Sequence, residues 1–137
     1  MSEPPPIQES EHSFSTIHRD CRIDGWDGEG SVAITDAVIA RAESVVAALA
    51  ELLPAHVPSP DILPESDGAI CLDWIIDPNH VFSMIVGTRD AISFAGRFGS
   101  RGSEHGSCPI RPEDPMALRE SLRHVASLVS RVYSPAL

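Results

Sequence analysis

Thirty consecutive residues, from Ala69 to Phe98, alternate between apolar and small or polar side chains in three runs. The runs are Ala69–Ile76, Val81–Gly87 and Ala91–Phe98, separated by Asp77-Pro78-Asn79-His80 and Thr88-Arg89-Asp90. A period of two marks strands that bury one face, and connections this short join only antiparallel neighbours. The segment therefore predicts a meander. One face carries Ile70, Leu72, Trp74 and Ile76, then Phe82, Met84 and Val86, then Ile92, Phe94 and Phe98. At about 25 cal/mol per Å² these ten side chains are the largest single block of apolar burial in the chain. A sheet with one such face has to pack against something.

The flanking sequence supplies two helices for that purpose. Residues 36–53 carry Ile39, Ala42, Val46, Leu49 and Leu53 at helical spacing, widened by Val38, Val45 and Leu52. Thr35 is a good N-cap, Asp36 suits the positive end of the helix dipole, and Pro54 stops the helix. Arg41, Ser44, Ala48 and Glu51 mark the opposite face. A second helix is expected from Pro115 to Tyr133, capped by Asp114 and striped by Leu118, Leu122, Val125, Val129 and Val132. Pro54, Pro58, Pro60 and Pro64 space a stiff linker over 54–67. Residues 99–106 are rich in glycine and serine, and a fourth short strand fits Ser107–Ile110. The expected architecture is an α+β two-layer sandwich: helix, three- or four-stranded antiparallel meander, helix. With 137 residues there is room for one domain, read as 18–137, preceded by a flexible acidic and proline-rich tail over 1–17.

If both helices cover the same face, the other face of the sheet is open or covered by a partner. It carries Cys71, Asp73 and Ile75, then Val81, Ser83 and Ile85, then Ala91, Ser93, Ala95 and Arg97. A plain solvent face would be rich in Lys, Glu and Thr. This one is small and partly apolar, as a docking surface would be.

Charge narrows the classes of partner. Residues 1–68 hold thirteen acids and three arginines, residues 69–137 seven of each, and the chain totals −10. A field of that sign repels phosphate backbones and steers basic partners, so direct nucleic-acid binding is not expected. Lysine is absent. Three widely spaced cysteines, Cys21, Cys71 and Cys108, imply no disulfide framework. The first residues are acidic and proline-rich without an apolar stretch, and no helix is apolar enough to span a bilayer. The expected location is the cytoplasm, with no membrane contact.

Enzyme signatures are sparse. G-x-x-x-x-G-K-[ST], H-E-x-x-H, G-x-S-x-G and C-x-x-C do not occur. His105 and Cys108 have ligand-like spacing and His80 is a third candidate, but a metal site needs three or four ligands in one place. No metal or cofactor is expected, and no catalytic residue is assigned. The most distinctive string is Trp26-Asp27-Gly28-Glu29-Gly30. Its glycines permit a sharp reversal into the helix, with Trp26 anchoring the N-terminal arm. Alternatively, Trp26 and the two acids are an interface anchor.

That string, followed by Ile34-Thr35 opening a helix, a proline-spaced linker and Asp67-Gly68-Ala69-Ile70-Cys71-Leu72-Asp73-Trp74, resembles a recurring bacterial family. Its members are small acidic proteins with W-D-G-x-G and D-G-x-I-x-L-x-W motifs, often in mobile-element or toxin–antitoxin-like settings. The likeness covers roughly residues 24–98. It implies the same order of elements and a bacterial cytoplasmic context, and it supplies no catalytic residues.

Together these features predict a non-enzymatic protein-binding module that neutralises or chaperones a partner, in the manner of an antitoxin, immunity protein or phage inhibitor. The expected partner is a protein, a basic one fitting the charge, and a homodimer is compatible with the same features. The contact candidates are Trp26, Asp27, Glu29, Ile75, Val81 and Ile85. Two other readings stay open: a small hydrolytic or ligand-binding domain using His80, His105 and Cys108, and a structural subunit of a phage or secretion assembly.

Overall fold

The structure is a computed structural model, which describes residues 13–134. Residues 1–12, most of the expected tail, lie outside the described residues. The chain runs α1 (Phe14–Asp20), α2 (Asp36–Leu52), β1 (Asp61–Pro64), β2 (Ile70–Asp77), β3 (His80–Val86), β4 (Ala91–Phe98), β5 (Ser103–Pro109), α3 (Pro115–Ser121) and α4 (Arg123–Val132). The strands form one antiparallel sheet in sequence order, β1-β2-β3-β4-β5. This is the expected α+β sandwich, with five strands instead of three or four.

The helices form for the reasons read from the sequence. Thr35 accepts the Val38 amide through its hydroxyl, and Asp114 accepts the amides of Met116 and Ala117. α2 and α4 both pack on one face of the sheet, over β2 and β3, with α4 reaching β4. Nine of the ten predicted inward side chains join α2 and α4 in a single core, including Trp74, Phe82 and Phe98 at 1% exposure or less. Gly96 completes that layer. A Cβ there would lie 2.7 Å from Phe98 Cζ and 2.8 Å from Phe82 Cδ1, so only glycine lets the two rings fill the space.

Several expectations are corrected. Ile76 is 53% exposed. Ile75 pairs with Val81 and Asp77 with His80, so Ile76 is the extra residue of a bulge and leaves the alternation. The linker contains β1, an edge strand that ends on Pro64 and follows Pro60, positions where the missing N–H costs no ladder bond. β5 begins at Ser103, inside the glycine- and serine-rich segment and four residues before the expected start at Ser107. The C-terminal helix bends at Leu122 (φ −89°, ψ 0°), because α3 packs on α2 while α4 packs on the sheet. Residues Phe14–Ile17 belong to α1, where Ser13 caps the helix and Ile17 is fully buried.

On α2 the buried stripe is wider than the spacing of its apolar residues suggests. Ala48, assigned to the outer face, is buried, and α3 packs on this helix. The Arg41 side chain is 16% exposed. Its guanidinium donates to the Gly87 carbonyl at 2.7 Å and to Asp90 at 3.0 Å, tying α2 to the β3–β4 turn.

Candidate functional site: the open sheet face

The face of the sheet away from the helices has no secondary-structure element packed over it among the described residues. Its composition follows from register. Residues directly opposite in an antiparallel ladder point to the same side, so the pairings define rows. The first row is Leu63, Cys71, Ile85, Ser93 and Ser107 from β1 to β5. The second is Asp61, Asp73, Ser83, Ala95 and His105. The third is Ile75, Val81, Arg97 and Ser103.

Three of the predicted contact residues, Ile75, Val81 and Ile85, lie on this face. Ile75 and Val81 are cross-strand partners, and Ile75 is 53% exposed. Ile85 pairs with Cys71 nearer the other end of the strands. Val81 also borders an open depression of about 270 Å³ with Ser83, Ala95, Arg97, Ser103 and His105. A second, of about 260 Å³, lies between Asp67, Ile85, Arg89, Ala91 and Ser93. Both are lined largely by short side chains.

The other three, Trp26, Asp27 and Glu29, sit elsewhere. The loop closes on itself: the half-buried Trp26 indole donates to the Val32 carbonyl at 2.8 Å, and Asp24 accepts the Ala33 amide. Asp27 accepts the Glu29 amide at 2.8 Å, while buried Ser31 accepts the Asp27 amide. The Ser31 hydroxyl and the Glu29 amide hold the Asp27 carboxyl below the usual range. Gly25 and Gly28 take positive φ at two of the turns. The Val32 amide donates to the Ser66 carbonyl, so the loop meets the sheet at the β1–β2 turn. Ile75 lies at the far end of β2, about 17 Å away at about 3.3 Å per residue. The predicted contact set thus divides into two groups.

Electrostatically the open face has two unlike halves. Asp61 and Asp73 oppose each other directly, with Glu65 and Asp67 beyond the top of β1. Burial, reinforced by the charges of Asp67 and Asp73, pushes the Glu65 carboxyl up. The Cys71 thiol, 8% exposed, donates to Asp73 at 3.0 Å. Burial first, then Asp73 and Glu65, raise that thiol far above its usual value, so it is protonated and unreactive at neutral pH. On the other half stand Arg97 and His105. Among the described residues neither Asp61, Asp73 nor Arg97 makes an ion pair.

The residues of the hydrolytic reading are dispersed. His80 Nδ1 is 3.0 Å from Asp77 in the β2–β3 turn. His105 and Cys108, three apart on one strand, lie on opposite faces, and the Cys108 thiol donates to the Ser121 carbonyl at 3.1 Å. Among the described residues no three His, Cys, Asp or Glu side chains converge as metal ligands. No helix of the described residues is long and apolar enough to cross a membrane.

The register also brings in residues that sequence reasoning does not single out. Asp61 and Leu63 are hidden by the prolines around them, although a short run between two prolines is itself an edge-strand signal. Ser83, Ala95 and Arg97 are legible as outward positions, but their neighbours are not. Comparison with family models, curated proteins and solved structures finds no match.

Proposed function

We propose that this protein is a non-enzymatic binding module that engages a protein partner through its open sheet face, neutralising or chaperoning it as an antitoxin or immunity protein does. The observation that carries this reading is the uncovered five-stranded face, small and partly apolar at its centre and charged at its flanks. Short side chains such as Ser83 and Ala95 let a partner approach the sheet closely, while Ile75, Val81 and Ile85 offer apolar area. The acids at the β1–β2 edge would steer a basic partner. Direct nucleic-acid binding does not fit a chain of net charge −10.

Ser83→Arg tests the reading, because it places a long cation at the centre of the face without touching the core. Tagged wild-type protein expressed in its native host is expected to retain one stoichiometric protein. Ser83→Arg, folded by circular dichroism, is expected to lose it, with affinity reduced about thirtyfold or more, the effect of disrupting about 2 kcal/mol of contact. Equal recovery by both proteins, or none by wild type, would overturn the proposal.

A further inference from the structure

The open face is charged in a way that is complementary to itself. Asp61 and Asp73 stand directly opposite each other on β1 and β2, without an ion pair among the described residues. Like charges across a ladder are unfavourable, so this pair calls for a cation from outside the sheet. Two strands away on the same face, Arg97 stands between Val81 and Ser103 without an ion pair among the described residues, and His105 pairs with Ala95. Anion and cation point the same way, out of the sheet, and make no ion pair with each other.

We infer that in the absence of its partner this face is covered by a second copy of the chain, related by a two-fold axis parallel to the strands and passing over β3. That operation turns the face over, exchanges the two edges of the sheet and keeps each row at its own height. β2 then lies over β4 of the second copy, and β1 over its β5. Asp61 faces His105, and Asp73 faces Ala95 with Arg97 one same-face step, about 6.7 Å, further along; with sheets about 10 Å apart the Asp73 and Arg97 Cα atoms stand about 12 Å apart, a gap that an extended arginine and an aspartate span together. Each contact occurs twice, as an isologous interface requires. The other in-plane two-fold, perpendicular to the strands, would stack β2 on β2 and bring the carboxylates together. Charge therefore selects one of the two arrangements. Ser83 and Ala95 at the centre are short enough for the sheets to approach, in the aligned packing of a sandwich.

Size sets the strength. Five strands about 4.8 Å apart and about seven residues long cover on the order of 500 Å² per copy, or ~1,000 Å² for the pair. That is the lower limit of a specific interface, so the dimer is weak and a tighter partner can displace it. The inference rests on the open face being the binding surface. It adds a regulatory property: the surface is masked by self-association until the partner arrives.

Sedimentation equilibrium of the purified full chain tests this. The expected mass rises with concentration from 14.7 kDa toward twice that value, and added salt weakens the association. Asp73→Arg and Arg97→Glu should each weaken the dimer by at least about tenfold, through like charges across the interface. The Asp73→Arg/Arg97→Glu double variant should restore it. Arg97 is exposed, so Arg97→Glu remains informative if Asp73→Arg does not fold. A wild-type chain that stays monomeric throughout, charge-reversed variants that dimerise as well as wild type, or a folded double variant that does not recover would overturn the inference. The two proposals fail separately. A monomer that still captures a partner through Ser83 overturns the masking alone. A charge-controlled dimer that captures no partner overturns the binding reading, and the masking with it, and leaves the dimer itself standing.

Discussion

Gly96 shows how narrowly single positions constrain this core. Its neighbours on β4, Phe94 and Phe98, and Phe82 opposite it on β3 are large, and the absence of a Cβ is what admits Phe98 and Phe82. Gly96→Ala would put a methyl within 2.8 Å of two rings anchored by the sheet. Overpacking of this kind costs about 1–3 kcal/mol. The expected outcome in urea denaturation is a lower midpoint with an unchanged slope. Trp26 works through a polar atom instead. Its indole N–H closes the 24–33 loop on the Val32 carbonyl, which accounts for a tryptophan in an otherwise polar string. The sequence leaves two readings of this residue, an anchor of its own segment or a contact at an interface. It does not identify the carbonyl it anchors to, since that depends on two turns made by Gly25 and Gly28.

Among the elements, α2 is tied to the sheet by more than its apolar stripe. Spacing alone places Arg41 on the wet side of the helix. In the fold it reaches from α2 to the β3–β4 turn, where it donates to Gly87 and pairs with Asp90. A sequence-separated contact of this kind leaves no local signal in the helix. Hydrogen bonds to a charged group contribute about 1.5–3 kcal/mol when partly buried. Arg41→Ala should destabilise by about that amount, and hydrogen exchange should show faster opening of the 87–90 turn than of the central ladder. The bulge at Ile76 makes the same point for strands. The alternation of Ile70, Leu72 and Trp74 correctly assigns the buried face, then overruns by one residue because a bulge is decided by the ladder and not by the strand.

Across the whole molecule, negative charge gathers at one side of the open face. Glu65 lies close enough to Asp67 and Asp73 for its carboxyl to be raised, with burial as the larger cause. A raised folded-state value means that the native state prefers Glu65 protonated. The associated stability is full below the usual glutamate range and is lost as pH rises through the raised value. Glu65→Gln should therefore increase the melting temperature at pH 7 and change it little at pH 4, measured by thermal denaturation at the two pH values. The thiol of Cys71 is governed by burial first and then by the same acids, which leaves it a packed, protonated side chain.

Periodicity, capping residues and turn residues are enough to place two helical segments, three strands and most of their inward and outward positions, with Ile76, Ala48 and Arg41 as exceptions, because these are properties of a chain segment and of the order of apolar and polar residues within it. The sequence also shows that the outward face is unusual. Tertiary structure alone decides that Asp61 stands beside Asp73, that β1 exists between two prolines, that Arg41 turns inward, and that the Trp26 loop and the Ile75–Val81 patch lie at different ends of the sheet. These outcomes depend on register and on which element lands beside which. Register is set by the summed packing of residues far apart in sequence, and no window along the chain contains that sum.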